Sequence, residues 1–474
     1  MVSWINFGTD GVLGAALSLS VTTMGAGILT LPSAYADAGI VLATLLMVFI
    51  AVMTVYSIDF IVHSIEKLGL NSYEEITRRL FGRKAEEMVR ITLVTYLTGC
   101  AVSYLVVIGD LLAPLQPILS QYVKILLTPR HTLFLYWAFF VLPLSCVSNL
   151  GSLHGISFLA ITSTLMISGM VVYRYFVPNS PQVGDSFSKN GKTAAYMNSQ
   201  MNRVSWWWGK NFLLTIPITM FSFDCQSLVF QIYAGLNNMS RRTMFTVATV
   251  SLIISTTIHG VVGLFGYLTN PTDVRENIIN NYDPTSDRLF AVGYMIYLIP
   301  INLAFILLVI PIRDSVFILW YGYSQASVAT HVPQPNRFVR IVDEEEQIAL
   351  LSSENNLDTE SDILMHMIQM KKKALNTIET ISMRDHMIVS ISLSMICITV
   401  ALFIPNIVSI IAPLGAICSS TLCFTLPGLY RWKLNQLNIS KYANTLEQIQ
   451  TIALIILGIF SGVVGTIVSI IDFF

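Results

Sequence analysis

The sequence "TTMGAGILTLPSAY" (22–35) lies inside the first long apolar stretch of the chain, which runs from Gly11 to about Ala36. That stretch can cross a bilayer, because a spanning helix needs ~20 apolar residues. Glycine frees the backbone and proline removes a hydrogen-bond donor, so the motif loosens the helix near its middle. Irregular backbone at membrane depth is tolerated only where it is buried in protein or lines a cavity. The motif therefore predicts a helix broken for a functional reason.

A break at this point would expose peptide dipoles of both signs. The free N–H groups of Gly27 and Ile28 would open a second half-helix, with Pro32 early in it, and its positive end attracts an anion. The carbonyl groups of Thr22 and Thr23 would end the first half and attract a cation. A small zwitterion carries one charge of each sign and therefore needs both the N–H groups and the carbonyl groups. The alternative is close packing of neighbouring helices against the small residues of the same motif.

Composition places most of the chain in lipid. Of 474 residues, 54% are hydrophobic and 12% are charged, with a mean hydropathy of +0.66. A soluble protein of this length needs far more charged surface. The formal net charge of -1 argues against a nucleic-acid partner, which would require a basic field. The six cysteines lie in apolar segments without a CxxC pair, so we predict no metal site and no cofactor.

Eleven apolar stretches are long enough to cross a membrane. We therefore predict an all-α membrane protein with eleven transmembrane helices, in contact with the lipid bilayer. The predicted spans are 11–35, 40–64, 91–113, 131–149, 154–176, 210–236, 243–268, 289–312, 386–404, 406–430 and 449–472.

Basic residues indicate the orientation. With a cytoplasmic N-terminus, most of the 27 Lys and Arg residues fall inside, as short cytoplasmic loops prefer. The C-terminus would then lie outside or in a lumen. The longest hydrophilic stretch, residues 331–384, would be a cytoplasmic loop insertion between helices 8 and 9. The run Trp206-Trp207-Trp208 before span six is typical of an interfacial aromatic belt.

Span six is also interrupted. The sequence "NFLLTIPITMFSFDCQSLVFQIYAGLNN" (211–238) is apolar except for "FSFDCQS" (221–227), and Pro217 weakens the helix just before that stretch. Ionisable groups at membrane depth are costly and usually functional, which makes Asp224 a candidate site residue. Interrupted spans one and six are five apart. This spacing predicts a 5+5 inverted repeat with a substrate held where the two breaks meet.

Three stretches resemble the amino acid/auxin permease family, a group of amino-acid transporters. They are "GAGILTLPSAYADAG" (25–39), "FSFDCQSLVFQIYAGLNNMSRRTM" (221–244) and "PNIVSIIAPLGAICSSTLCFTLPGLYRWK" (405–433). The similarity runs from about residue 9 to 472 and makes 9–472 the transmembrane permease domain. It implies a LeuT-like architecture with discontinuous helices 1 and 6, and a secondary transporter of amino acids by alternating access. An enzyme is not expected.

The resemblance also implies residue roles. The substrate carboxylate would meet the amides of Gly25, Ala26, Gly27 and Ile28. The ammonium group would meet the carbonyls of Thr22 and Thr23 together with Phe221 and Ser222. Tyr104 would add a hydroxyl or a ring from span three, and its alternative role is packing at a helix interface.

Asp224 departs from the family pattern, in which an uncharged residue is more common at this position. Two functional roles compete, a proton carrier and a partner for the side chain of a cationic amino acid. The third possibility is a structural partner for a neighbouring helix.

Sodium coupling is disfavoured by span eight. Sodium at the usual site of this fold needs oxygen ligands from spans one and eight, but "LIPINLAFILLVIPI" (298–312) has no Ser or Thr. Ala304 stands where a relative's Thr would align, and Asn302 is the only polar side chain. Proton coupling or uniport is therefore expected.

The proton-coupling candidates are Asp224, Asp59 and His63 in span two, and His259 in span seven. Asp59 and His63 approach the cytoplasmic end, where simple hydration is the alternative explanation.

A second class of function stays open at this point. The long 331–384 loop suggests an amino-acid sensor that signals through that segment without net flux. The plasma membrane and a vacuolar or lysosomal membrane both fit the sequence.

Overall fold

The computed structural model describes residues 11–116, 128–146, 153–177, 203–209, 211–282, 284, 287–321, 323–325, 337–340, 379–380, 383–404 and 406–473. Its first apolar stretch is broken. Helix α1 (Val12–Thr23) is followed by a 3-10 turn (Ala26–Thr30) and by α2 (Leu31–Ala38). The two halves are bent by 52°, and Pro32 lies in the first turn of α2, where its missing donor costs little. The predicted break in span one is confirmed.

Long helices follow the break. Gly39 joins α2 to the next helix at a φ of 85°, a conformation that favours glycine. The elements up to the fifth span are α3 (Ile40–Leu68), α4 (Tyr73–Phe81), α5 (Arg83–Leu112), α6 (Pro129–Tyr136), a π-helical turn (Trp137–Val141), α7 (Leu142–Ser145) and α8 (Leu153–Phe176).

Span six is interrupted as the sequence predicted. Helix α9 (Phe212–Ser222) ends before three non-helical residues, and a 3-10 turn (Gln226–Leu228) then leads into the short α10 (Val229–Ala234). The remaining elements are α11 (Arg241–Thr269), a 3-10 turn (Ile278–Asn281), α12 (Arg288–Tyr321), α13 (Met383–Phe403), α14 (Val408–Pro413), a π-helical segment (Leu414–Thr425), α15 (Leu426–Gln436) and α16 (Thr445–Phe473).

The described residues contain nine helices long and apolar enough to cross a membrane, or ten when α1 and α2 are counted as one bent span. Predicted span four (131–149) accounts for the difference between these ten spans and the eleven that the sequence predicts. Its described helical part runs from Pro129 to Ser145, which is shorter than the ~20 residues a perpendicular crossing needs, and residues 147–149 of the prediction lie outside the described residues. The protein is a helical membrane protein, and the eleven spans and the 5+5 repeat stay predictions.

Small residues let helices approach closely around the second break. A Cβ atom on Gly415 of the π-helical segment would lie 1.9 Å from the carbonyl oxygen of Pro217 in α9. A Cβ atom on Gly458 of α16 would lie 2.1 Å from the Thr425 hydroxyl oxygen. Glycine is needed at both positions, because close backbone approach supplies the dispersion contacts that hold membrane helices together.

Apolar side chains cover the outside of the bundle. On α16 they recur every seven residues, and the exposed members of this stripe are Ile449, Ile456, Val463 and Ile470. An exposed apolar stripe of this length is typical of a helix that faces lipid or another protein. Trp206, Trp207 and Trp208 are also exposed, as an interfacial belt requires.

Short strands add to the predicted all-α fold. Strands β1 (Tyr323–Gln325), β2 (Arg337–Arg340) and β3 (Glu379–Thr380) form an antiparallel sheet in the order β1-β2-β3. Ser324 is opposite Val339, and Phe338 is opposite Glu379. Most of the predicted 331–384 loop lies outside the described residues. The assignment of this loop as a cytoplasmic insertion stays a prediction.

Candidate functional site

The two broken helices meet at their interruptions. A Cβ atom placed on Gly27 would lie 2.7 Å from Ser222 Oγ and 2.9 Å from Ser222 Cα. Gly27 lies in the 3-10 turn after the first break, and Ser222 is the last residue of α9 before the second. Any side chain at Gly27 would separate the two helices. The structure therefore brings together two segments whose backbone has left α-helical geometry.

Tyr104 of α5 reaches the first break. A Cβ atom on Gly25 would lie 2.8 Å from the Tyr104 hydroxyl oxygen and 3.8 Å from the carbonyl oxygen of Thr22. Ala26 and Ile28 are buried beside them, and Phe221 is buried at the end of α9. A hydroxyl group and a helix-ending carbonyl thus lie next to the same glycine, and their contact with a substrate stays a prediction.

Hydroxyl groups line the contact between α1 and α11. Thr23 Oγ1 lies 2.7 Å from Ser255 Oγ, and Ser20 Oγ lies 3.1 Å from Ser251 Oγ. Sequence reasoning missed these serines. The sequence pattern that could have identified them is the four-residue spacing of positions 251, 255 and 259, which places one polar face along α11.

His259 continues that polar face. Its side chain is fully buried, and its ring packs edge-on against Phe223 of the second break, with 5.0 Å between the ring centroids. Neither ring nitrogen makes a hydrogen bond of normal geometry with a described residue, although the Thr23 backbone is near the ring. A buried imidazole with free hydrogen-bonding capacity therefore lies beside both breaks.

Asp224 is buried in the second break and is held by neutral donors. Ser419 Oγ of the π-helical segment donates to Asp224 Oδ2 at 2.8 Å. The side chains of Tyr96 and Cys423 are also within hydrogen-bonding reach of the carboxyl group. These contacts lie on α5 and the π-helical segment. Asp224 therefore links the broken helix to two other spans, and no cation is among these partners.

Asp59 and His63 lie apart from the breaks, near the end of α3, in a group of paired charges. Arg241 of α11 donates from Nε to Asp59 Oδ1 at 2.6 Å, from Nη2 to Asp59 Oδ2 at 2.5 Å and from Nη1 to His63 Nδ1 at 2.9 Å. Asp59 is 9% exposed and His63 is 6% exposed. Simple hydration is therefore wrong as the explanation of these two residues.

A second ion pair extends this group. Arg431 of α15, 1% exposed, donates to both carboxylate oxygens of Glu447 in α16, at 2.8 and 3.0 Å. Its other donors bind the carbonyls of Ser440 and Lys441 at 2.9 and 2.8 Å. With its neighbours this group forms what we call the helix-end cluster: Asp59, His63, Glu66, Tyr233, Arg241, Arg431, Ser440 and Glu447.

Carboxyl groups gather at the opposite end of the bundle. Asn406 donates to Glu276 at 2.9 Å, and Asn277 donates to Asp110 at 2.6 Å. Burial, and next the negative charge of Asp472, raise the pKa of Glu276 to about 7. Glu276 is therefore largely protonated in weakly acidic solution.

This raised pKa predicts a pH-dependent stability. A carboxyl group whose pKa is higher in the folded state stabilises the fold below its unfolded value of 4.5, and this contribution is lost as the pH rises through about 7. Glu276→Gln keeps an acceptor for Asn406 and cannot ionise. We expect the unfolding temperature of the wild type in detergent to fall between about pH 5 and 7.5, and that of the variant to fall less. If the unfolding temperatures of the wild type and of Glu276→Gln changed equally with pH, the raised pKa would not belong to Glu276.

The sequence profile of the family described as transmembrane amino acid transporter protein matches residues 8–471. Vacuolar amino acid transporter 5 of Schizosaccharomyces pombe is 27% identical over 66% of this chain and 70% of its own length. Vacuolar amino acid transporter 6 of Saccharomyces cerevisiae is 24% identical over 89% of this chain and 90% of its own length.

One solved structure is similar along most of the chain. It is a Na+-coupled sialic acid symporter in a substrate-bound outward-open state, with 15% sequence identity and a TM-score of 0.49. The similarity covers 97% of this chain and 88% of that one.

Proposed function

Because this chain belongs to the family of transmembrane amino acid transporter proteins, we propose that it carries an amino acid across the membrane by alternating access. Members of this family are transporters and not enzymes. The observation that carries the proposal is the contact of Gly27 with Ser222, which joins the two interruptions. Backbone N–H groups after the first break would bind the substrate carboxylate, and the carbonyls before it would bind the ammonium group.

The coupling ion would be a proton, or transport would be uncoupled. Sodium requires oxygen ligands, and span eight offers none at the expected place. Asn302, the polar residue of that stretch, donates from its amide nitrogen to the Tyr136 hydroxyl at 2.8 Å and to the Leu298 carbonyl at 2.7 Å. Asp224 is the carboxyl group best suited to carry the proton, since its named partners are hydroxyl and thiol groups and not a cation.

The membrane would be that of a vacuole or lysosome, since two of the relatives are vacuolar transporters by name. The predicted orientation places the N-terminus in the cytoplasm and the C-terminus in the lumen. A proton gradient across such a membrane could drive transport through a protonatable site.

Uptake by vesicles tests this function. We expect the purified chain, reconstituted into liposomes, to take up labelled amino acids faster under an imposed pH gradient, and replacing sodium by potassium to have no effect. Liposomes without protein are the control. Uptake that requires sodium would reject the proposed coupling. Binding of amino acids without flux would favour the alternative, a sensor that signals through the 331–384 loop.

Asp224→Asn separates the possible roles of this carboxyl group. If Asp224 carries the proton, we expect the variant to lose most of the stimulation by a pH gradient, ~10-fold or more, for every amino acid tested. A selective loss of arginine and lysine uptake, with alanine and glutamine uptake retained, would show instead that Asp224 binds a cationic side chain. Ser419→Ala is the matched control, because it removes one donor and keeps the carboxyl group.

A further inference from the structure

The helix-end cluster joins separate parts of the fold at one end of the bundle. Glu66 of α3 accepts hydrogen bonds from the Tyr233 hydroxyl of α10 at 3.1 Å and from the Arg241 backbone N–H at 2.7 Å. Arg241 Nη2 also lies 3.6 Å from Glu447 of α16. His63 Nε2 lies 2.9 Å from Ser440 Oγ, in the connection between α15 and α16. Five helices and one loop thus meet in a single network.

The protonation state of His63 follows from these contacts. A guanidinium group has only donors, so His63 Nδ1 must accept the hydrogen bond from Arg241 and carries no proton. Nε2 then bears the single ring proton and donates to Ser440 Oγ. The cluster as observed therefore requires a neutral His63. A proton on Nδ1 would set a donor against a donor and a cation against a cation.

The charges around His63 balance only in this neutral state. Three cations face His63, namely Arg241, Lys67 and Arg431. The three carboxylates of the cluster are Asp59, Glu66 and Glu447. Three positive groups thus meet three negative ones. A protonated His63 would add an uncompensated charge in a poorly hydrated place, which is unfavourable.

We propose that the helix-end cluster is a proton-sensitive latch, in which neutral His63 joins Arg241 to Ser440 and a proton taken up at Nδ1 from the adjacent solution breaks its hydrogen bond with Arg241. Arg241 would stay bonded to Asp59, whereas the repulsion between the imidazolium and guanidinium groups would displace His63 and loosen the connection between α15 and α16, which is bonded to His63 through Ser440. The latch would thus regulate the opening of this end of the bundle. The inference rests on the proposed transport function, which it extends to regulation by pH.

The latch is mechanically connected to the substrate site. Helix α10 is the second half of the broken span six and has only six residues. One of its ends follows the break that contains Asp224, and the other carries Tyr233, which is bonded to Glu66 of the cluster. A change at the latch would therefore reach the break over a few residues.

His63→Gln tests the latch. A glutamine can accept from Arg241 with its oxygen and donate to Ser440 with its nitrogen, and it cannot titrate. We expect hydrogen exchange of the full chain in detergent to separate the two proteins. The comparison uses the peptides covering 229–241 and 437–447. When the pH is lowered from about 7.5 to 5, these peptides should exchange about 5-fold or more faster in the wild type than in the variant at the same pH. His131→Gln, at an exposed helix cap, should behave as wild type.

Arg241→Gln provides a second test. Removal of the cation that opposes protonation should move the pH midpoint of opening upward by ~1 unit or more. Equal exchange of wild type and His63→Gln at every pH, together with an unmoved midpoint in Arg241→Gln, would overturn the proposal. Exchange does not depend on flux, so a chain that fails to transport amino acids but shows this pH response would refute the transport function alone.

Discussion

Replacing Gly27 by alanine is expected to reduce amino acid uptake by ~100-fold, the largest effect anticipated for a single methyl group in this protein. The added Cβ atom would lie 2.7 Å from Ser222 Oγ and 2.9 Å from Ser222 Cα. Part of this clash is with backbone, so a rotamer change cannot relieve it. The two interruptions would have to move apart by a few tenths of an ångström or more. The groups that hold the substrate would lose their common geometry.

Gly169→Ala is the matched control for this substitution. Gly169 lies in α8, and a Cβ atom there would meet nothing within 4 Å. We expect its uptake to equal that of the wild type. Uptake should be measured in reconstituted vesicles at equal protein content, with thermal unfolding as a check of folding. Wild-type uptake by a folded Gly27→Ala variant would show that the contact between the breaks does not form the substrate site.

The second large effect is expected from Glu447→Gln. Arg431 is buried, and Glu447 binds it through both carboxylate oxygens. Removing the negative charge leaves a buried guanidinium without its counter-ion, which costs ~3 kcal/mol or more. We expect the midpoint of thermal unfolding in detergent to fall by ~5 °C.

An exposed pair supplies the control for this loss. Glu87 lies 3.4 Å from Arg83, and the two side chains are 52% and 67% exposed. Surface pairs contribute little, so Glu87→Gln should change stability by less than ~1 kcal/mol. Equal shifts for the two variants would mean that burial does not strengthen the Arg431–Glu447 pair.

The breaks could be predicted because their causes are local. Gly25, Gly27 and Pro32 loosen span one within a few residues, and Asp224 marks span six by its charge in an apolar context. Both interruptions occur where the sequence placed them. The contact between Gly27 and Ser222 required the further assumption of paired interruptions, and the structure supports it.

The helix-end cluster could not be predicted, because its partners are far apart in the chain. Asp59 and Arg241 are separated by 182 residues, and His63 and Ser440 by 377. A sequence shows Asp59 and His63 only as polar residues near a loop, where hydration is the ordinary explanation. The last residues of predicted span four, 147–149, lie outside the described residues, so its length stays a prediction.

The hydroxyl-lined contact between α1 and α11 has a consequence for motion. Ser20 Oγ also donates to the Ala16 carbonyl at 2.8 Å, and Thr23 Oγ1 donates to the Ser20 carbonyl at 2.7 Å. Each of these two hydroxyl groups therefore has a partner within its own helix. If the first half-helix withdrew from α11, neither group would be stranded without a hydrogen bond. The first half-helix can therefore move away from α11 without leaving these two hydroxyl groups unsatisfied, which favours a contact that opens and closes repeatedly.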